Sequence, residues 1–267
     1  NVWKALRMSA PTEETIYVAT NLGIYCPQFF HWRVAENQKG KTGVVGLYKN
    51  YRLFPSGDPQ IVQYVLNALA PALPDDITIV APEDAVCMPD GYTATGTPTV
   101  EKRMTLTPSA LLRPTTSLPK GLRITQLEEK DSPLITQLFT PPSGTDPERY
   151  NDGVFFDEGR MMGGLLYFGA FDQDSLVGIV GTHGLAPDLG LAIIGDAFTH
   201  PNHRNRGIAS WLTYSLLSHL TNAHKLIMIA ADIRNDKPGY SILERLGFNR
   251  WSKCIIYQKA RKTPMGA

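Results

Sequence analysis

Three features are scarce in this sequence, and each scarcity argues against a class of protein. Its three cysteines, Cys26, Cys87 and Cys254, are widely spaced and form no C-x-x-C pair, which argues against a disulfide framework or a zinc site. The formal net charge is +1, so no basic field favours non-specific nucleic-acid binding. No window holds the roughly 18 uninterrupted apolar residues of a membrane helix. We therefore expect a globular cytoplasmic protein without nucleic acid, membrane or metal among its partners.

A proline-rich stretch marks the clearest boundary in the chain. Pro108–Pro119 interrupts every periodic pattern, because proline removes a backbone donor and restricts the residue before it. The length of 267 residues allows one or two domains. We predict an N-terminal domain over residues 1–107, a linker over 108–120, and a second domain over 121–267.

The two halves differ in their secondary-structure signals. In the first half, β-branched and aromatic runs predict a helix at Gln60–Leu69 and strands at Thr15–Thr20, Trp32–Glu36, Gly43–Tyr48, Ile77–Val80 and Thr99–Leu106. After the linker, we predict helices at Ser132–Phe139, Ile208–Leu220 and Tyr240–Leu246, and strands at Leu122–Leu127, Leu165–Phe171, Leu176–His183, Leu191–Thr199, Leu226–Ile233 and Trp251–Gln258. The first half is therefore predicted as α+β and the second as α/β.

A turn between a buried strand and the helix at Ile208 has the features of an anion site. It reads Arg204-Asn-Arg206-Gly207-Ile-Ala209. Small residues let the backbone approach a ligand, and the first amides of a helix have no acceptor within that helix. Because the helix dipole and two arginines add positive potential, we predict that the turn binds a phosphate group.

This segment resembles the signature of the GCN5-related N-acetyltransferase (GNAT) family. That signature runs strand, Val-x-Pro-x-x-Arg/Gln-x-x-Gly-x-Gly/Ala, helix. The residues in register with it are Thr199, Pro201, Arg204, Gly207 and Ala209. The resemblance covers about residues 121–260 and implies an α/β domain with a mixed, largely antiparallel sheet. We interpret the α+β N-terminal half as a degenerate GNAT-like copy of that fold.

A second family motif is matched in part. The family has an Asn, a small residue and then Leu-Tyr-x-x-x-Gly-Phe, and this chain ends the motif with Gly247 and Phe248. Asp236 stands where asparagine is usual, although Asn235 is adjacent, and Leu243 stands where tyrosine is usual.

The resemblance implies acetyl-CoA as co-substrate, with no metal. Family members align the pantetheine arm with the strand before the loop and hold the pyrophosphate on the loop amides. The implied binding residues are Ala197, Phe198 and Thr199 for the pantetheine and acyl group, Arg204, Asn205, Arg206, Gly207, Ile208, Ala209 and Ser210 for the pyrophosphate, and Asn235 and Asp236 from the second motif.

Acyl transfer to an amine needs a base, a polarised carbonyl and a route for the leaving thiolate. Asp196 and Asp232, on the two neighbouring strands, are the candidate bases; the alternative for each is an ordinary polar residue at a strand end. Tyr240 is the candidate acid in place of the tyrosine missing at Leu243, and its alternative is an aromatic residue packed on the sheet.

The sequence therefore predicts an N-acyltransferase that moves an acetyl group from acetyl-CoA to an amine in a direct ternary complex. The acceptor is a small-molecule or peptide amine of open identity, and a homodimer is a candidate assembly. Two alternatives remain open: a non-catalytic acyl-CoA sensor, suggested by Leu243, and a glycine-conjugating acyltransferase that uses larger acyl-CoAs.

Two further sequence patterns match known binding motifs but lack the neighbouring residues that those motifs require. Ala35–Thr42 satisfies the Walker A pattern, but strand-forming residues follow it where a helix is required, so we predict a hairpin turn. His200 and His203 have the spacing of a metal pair, but no third ligand accompanies them in the turn. We expect these histidines to flank the phosphate-binding loop.

Overall fold

The computed structural model describes residues 30–48, 52–74, 77–82, 89, 92–94, 101–146, 150, 156, 161, 164–187, 190–234 and 239–259. The chain divides into two compact units, residues 104–250 and residues 1–103 together with 251–267. The chain passes between the units within two strands, at residues 103–104 and 250–251. None of the helices in the described ranges is long and apolar enough to span a membrane.

The first unit combines an antiparallel meander with one strand–helix–strand crossover. Its elements are β1 (Phe30–Glu36), β2 (Thr42–Tyr48), β3 (Arg52–Gly57), α1 (Pro59–Leu69), β4 (Thr78–Pro82) and β5 (Tyr92–Ala94). The pairs β1–β2 and β2–β3 are antiparallel, and β3–β4, joined through α1, is parallel. A buried core between α1 and these strands includes Leu53, Val62, Leu66, Ile77 and Ile79.

The described residues of the N-terminal half contain most of the elements predicted for them. The predicted strands at Trp32–Glu36 and Gly43–Tyr48 and the predicted helix are confirmed. The predicted strand at Thr15–Thr20 lies outside the described residues. The Walker-like residues form the turn between β1 and β2, where Gly40 has a φ of +75°. The hairpin prediction is therefore confirmed.

The second unit is built on a mixed sheet. The chain enters it through β6 (Glu101–Leu106) and leaves through β12 (Asn249–Lys259); between them lie β7 (Leu122–Leu127), α2 (Ser132–Phe139), β8 (Tyr167–Asp172), β9 (Ser175–Ala186), β10 (Leu191–Thr199), α3 (Ile208–Ala223), β11 (Met228–Arg234) and α4 (Gly239–Arg245). The strand order is β11-β10-β9-β8-β7. Only β10–β11 is parallel among these pairs, which confirms the predicted mixed, largely antiparallel sheet.

Helix α3 packs on the sheet through one apolar face. Ile208, Leu212, Leu216 and Leu220 are each at most 1% exposed, and they recur at the four-residue spacing of one helix face. Opposite them, Gly178 in β9 leaves room, since a Cβ there would lie 3.1 Å from the Leu212 side chain. Each buried leucine contributes about 1.5–3 kcal/mol of transfer free energy, so this face firmly anchors the N-terminus of α3.

The predicted linker forms a strap, which we define as residues 108–120, on the second unit. The Leu112 N–H donates to the Leu246 carbonyl just after α4, at 3.0 Å. The indole N–H of Trp211, in the first turn of α3, donates to the Thr116 carbonyl at 2.8 Å. The strap is thereby bonded to the start of α3 and to the residue that follows α4. The domain boundaries expected from the sequence stay a prediction.

Candidate functional site

Strands β10 and β11 part before either of them ends. Among the described residues, their parallel register stops at Ile194 and Ala231. Strand β10 nevertheless continues to Thr199, and β11 continues to Arg234. Strands that separate in this way open a gap lined by backbone groups that the ladder no longer pairs.

Two bulges distort the β9–β10 pair beside this gap. The register shifts first between Ile193 and Ile194, where His183 is the extra residue of β9. It shifts again between Gly195 and Phe198 in β10, where Asp196 has a left-handed φ of +51°. Bulges are enriched next to active sites because they redirect side chains. Here they turn His183 and Asp196 toward each other.

The Asp196 carboxylate is the centre of a hydrogen-bonded cluster. The Tyr167 O–H donates to its Oδ2 at 2.8 Å, and His183 Nε2 lies 2.7 Å from its Oδ1. The Asp196 side chain is 7% exposed and the His183 side chain 34%, whereas Tyr167 is fully buried. The cluster thus runs from the core to the surface and ends at the imidazole.

Two glycines make room for the cluster. Tyr167 is paired with Gly181, and a Cβ at Gly181 would overlap the phenol ring. A Cβ at Gly195 would likewise overlap the His183 ring. Both rings therefore lie directly on the backbone of the neighbouring strand, which restricts their orientation.

The loop after β10 presents helix amides that no side chain caps. Gly207 is the N-cap of α3 with a φ of +76°, and Asn205 also has a left-handed φ of +61°. The first bond within the helix runs from the Trp211 N–H to the Gly207 carbonyl. The amides of residues 208–210 precede it, and no side-chain cap satisfies them within the described part of the chain. This geometry suits an anion.

Arg204 fastens this loop to the rest of the unit. Its Nε donates to the Thr199 carbonyl at 3.0 Å and its Nη2 to the Tyr150 carbonyl at 3.1 Å. Its guanidinium also lies 5.8 Å from the centre of the Phe198 ring. Tyr150 is 6% exposed, and burial raises the pKa of its hydroxyl. In this arrangement Arg204 holds the end of β10 through backbone carbonyls.

The two histidines of the turn, His200 and His203, each lie within hydrogen-bond distance of a neighbouring group in the same turn. His200 Nδ1 accepts a hydrogen bond from the Asn202 N–H at 3.2 Å, and burial lowers the pKa of His200. His203 Nδ1 lies 3.0 Å from Nη1 of Arg206, whose guanidinium is 3.5 Å from Asp172. Within the described ranges, no group of three His, Cys, Asp or Glu side chains converges on a metal position.

Four predicted site residues cannot be compared with these contacts. Asp232 is in β11 and Tyr240 is in α4, but their side chains lie outside the described part of the structure. Asn235 and Asp236 lie wholly outside the described residues. The roles assigned to these four residues stay predictions. Leu243 is 5% exposed, so the position of the usual family tyrosine is occupied here by a core hydrocarbon.

The sequence interpretation missed His183 and Tyr167. It assigned both to ordinary strands, because the apolar character around them is that of buried sheet residues. Their partner Asp196 is 13 residues from His183 and 29 from Tyr167 along the chain. No local pattern signals such a contact, since it depends on the register and on two bulges.

Comparisons with known proteins agree with this architecture. Residues 132–248 match the model of the acetyltransferase (GNAT) family. A GCN5-related N-acetyltransferase from Kribbella flavida has 15% identity and a TM-score of 0.64, with 98% of this chain and 96% of that chain covered.

Two further solved structures share the fold. A tandem GNAT protein from the clavulanic acid biosynthesis pathway has 14% identity and a TM-score of 0.55, with 86% of this chain and 82% of that chain covered. A GNAT-family acetyltransferase from Colwellia psychrerythraea has 10% identity and a TM-score of 0.54, with coverages of 92% and 94%. No curated protein matches the chain.

Proposed function

We propose that the C-terminal half, which carries a GNAT-family acetyltransferase domain at residues 132–248, transfers an acetyl group from acetyl-CoA to an amine in a direct ternary complex. The supporting observation is the gap between β10 and β11, which leads to the uncapped N-terminus of α3. The gap offers an open strand edge to the amides of the pantetheine arm. The helix N-terminus offers N–H groups and a positive dipole to the pyrophosphate.

The end of β10 supplies a donor for the thioester carbonyl. The His200 N–H donates to the Val177 carbonyl of β9 at 2.9 Å. Backbone groups alternate in direction along a strand, so the N–H of Thr199 faces the gap. An amide in this position stabilises the oxyanion that forms when the amine attacks. Leu243 supplies no proton, and Tyr240 remains the candidate acid for the CoA thiolate.

The N-terminal half is proposed to be a degenerate copy of the same fold. Its β1-β2-β3-α1-β4 succession consists of two antiparallel pairs followed by a helix and a parallel partner. The succession β8-β9-β10-α3-β11 in the second unit follows the same order. The solved tandem GNAT protein shows that two such domains occur in one chain, which supports this proposal.

In this half, the N-terminus of α1 lacks the free N–H groups of an anion site. Asp58 caps α1, and its Oδ1 accepts from the N–H groups of Gln60 and Ile61 at 3.1 and 3.4 Å. Pro59, at the first helical position, has no N–H to offer. The hydrogen bond from Lys41 lowers the pKa of Asp58, so this cap is anionic at neutral pH. We therefore propose one acetyl-CoA site per chain.

Calorimetric and thermal titration with acetyl-CoA tests this proposal. We expect a stoichiometry of one, and stabilisation by about 2.7 kcal/mol at a hundredfold excess over the Kd. Gly207→Glu should abolish both signals, because it places a carboxylate at the helix N-terminus. Gly121→Glu is the matched control, since Gly121 also has a positive φ of +86° with nothing within 4 Å of a Cβ. Normal binding by folded Gly207→Glu would contradict the proposal.

The buried Leu243 favours one alternative, a sensor that binds acyl-CoA without turnover. Release of free CoA thiol distinguishes the two functions, measured with acetyl-CoA and a panel of small-molecule and peptide amines. Thiol release that depends on one class of amine identifies an enzyme and its acceptor class. Binding without thiol release from acetyl-CoA or larger acyl-CoAs identifies the sensor.

A further inference from the structure

The hydrogen bonds around Asp196 define which imidazole nitrogen of His183 carries the proton. Oδ1 of Asp196 lies 2.7 Å from His183 Nε2, and Oδ2 accepts from the Tyr167 O–H. An ionised carboxylate only accepts, so Nε2 must be the protonated nitrogen in this pair. A neutral imidazole then has Nδ1 as its basic nitrogen, and Nδ1 has no hydrogen-bond partner among the described residues.

The three side chains of the cluster differ in how exposed they are to solvent. Both carboxylate oxygens of Asp196 already face donors, and its side chain is 7% exposed. Tyr167 is fully buried. The His183 side chain is 34% exposed, which makes it the member of the cluster that an incoming amine can reach.

The cluster lies on the face of the sheet opposite α3. Gly178 faces Leu212 of α3, whereas Gly181, three residues further along β9, carries the Tyr167 ring on its other face. Asp196 follows Ile194, where the β10–β11 pairing ends, by two residues. The imidazole is thus beside the gap assigned above to the acyl-bearing arm.

We propose that His183 is the catalytic base of this acyltransferase and that Asp196, anchored by Tyr167, is the residue that positions it; this inference rests on the proposed function. The amine nitrogen attacks the thioester carbonyl carbon, and the carbon–sulfur bond breaks. CoA leaves as the thiolate, and the excess proton on the amine nitrogen passes to His183 Nδ1. The imidazolium shares its Nε2 proton with the Asp196 carboxylate and returns the Nδ1 proton to solvent.

The described ionisable groups that face the imidazole belong to the two strands beside β9, which are β8 and β10. On the neighbouring strands, Asp196 and Tyr167 face it within the described ranges. Helix α2, which packs on β9, contains no ionisable side chain. Substitution of His183, Asp196 and Tyr167 one at a time therefore tests which of the three gives rise to a protonation step in the rate profile.

The first test is turnover against pH with acetyl-CoA and an accepted amine. His183→Gln should lower kcat by about 100- to 10,000-fold and remove the acid limb of kcat/KM, while the thermal shift by acetyl-CoA is retained. His183→Asn provides a second variant if the first is unstable. His224→Gln is the control, because His224 is the C-cap at the opposite end of α3, and it should keep the parent profile.

The second test concerns the positioning residues. Asn offers one acceptor oxygen where Asp offers two, so Asp196→Asn leaves His183 or Tyr167 without its acceptor. We expect kcat to fall by about 100-fold with an unchanged KM for acetyl-CoA. Tyr167→Phe keeps the carboxylate and should cost less than tenfold. Nitrogen-15 NMR of the parent protein without substrate should show His183 with the proton on Nε2.

The outcomes separate this inference from the proposed function. A parent chain that releases no thiol with any amine overturns both. A parent that turns over overturns the base assignment alone if folded His183→Gln keeps its acid limb, or if the NMR spectrum places the proton on Nδ1.

Discussion

Gly195→Ala tests the cluster without removing any ionisable group. A Cβ at this position would lie 2.7 Å from His183 Nδ1 and closer still to Cε1 and Nε2, whereas ordinary contact begins at 3.4 Å. The ring must therefore retreat by roughly 0.7 Å or more to restore van der Waals contact. Its 2.7 Å hydrogen bond to Asp196 would then exceed the range of about 2.7–3.2 Å for such bonds.

The fold should tolerate this substitution. Gly195 does not have a positive φ, so alanine fits the backbone, and the overlapping group is a side chain that can rotate toward solvent. The lost bond to a charged group is worth at most about 1.5–3 kcal/mol, and the 34% exposure of His183 reduces that value. We expect the free energy of unfolding to fall by about 1–2 kcal/mol.

Catalysis should suffer much more than stability. A displacement near 1 Å of a catalytic group costs on the order of 100-fold in rate, so kcat should fall by that factor while acetyl-CoA still binds. Gly169→Ala is the matched control, since its Cβ would lie equally close, at 2.7 Å, to the side chains of Leu127 and Leu176 rather than to the His183 ring. If folded Gly195→Ala kept full turnover, the reasoning about the cluster would be refuted.

Two other predictions concern stability. Trp211→Phe removes the hydrogen bond from the indole N–H to the Thr116 carbonyl, so the free energy of unfolding should fall by about 1 kcal/mol. Proteolysis of the strap should also become faster. An unchanged cleavage rate would show that other contacts hold the strap in place. Burial lowers the pKa of His200, so the folded state favours its neutral imidazole. The contribution of this group to folding stability is therefore complete above about pH 6.5 and is lost as the pH falls. The melting temperature should thus decrease from pH 7.5 to 5.5, and less so in His200→Asn, whose Oδ1 can still cap the turn; equal slopes would contradict this assignment.

Much of the second unit could be predicted from local patterns. Strand β10 has the predicted bounds Leu191–Thr199, and α3 begins at the predicted Ile208. Both have strong periodicity, and Gly207 lies where a left-handed residue is needed before the helix. In the first unit, β3 and β5 were not predicted, because Pro55 and Gly57 in β3 are typical of turns and β5 has only three residues.

Tertiary structure changed the interpretation of single side chains. Arg204 matches the family signature in sequence, yet its guanidinium bonds the carbonyls of Thr199 and Tyr150. The proline-rich segment could not continue a helix, but sequence alone did not reveal that the indole of Trp211 binds it. Both outcomes depend on groups far away in the chain, which local propensity does not describe.

The sequence by itself determined the order of elements in the second unit and the position of the turn that we propose binds phosphate, because these depend on periodicity and on glycine at defined positions. It also identified Asp196 as a candidate base. Only the tertiary structure decided that Asp196 faces inward and that His183 lies between it and solvent. The physical reason is the pair of bulges in β9 and β10, since one extra residue in a strand turns a side chain to a different partner without any change in the local pattern.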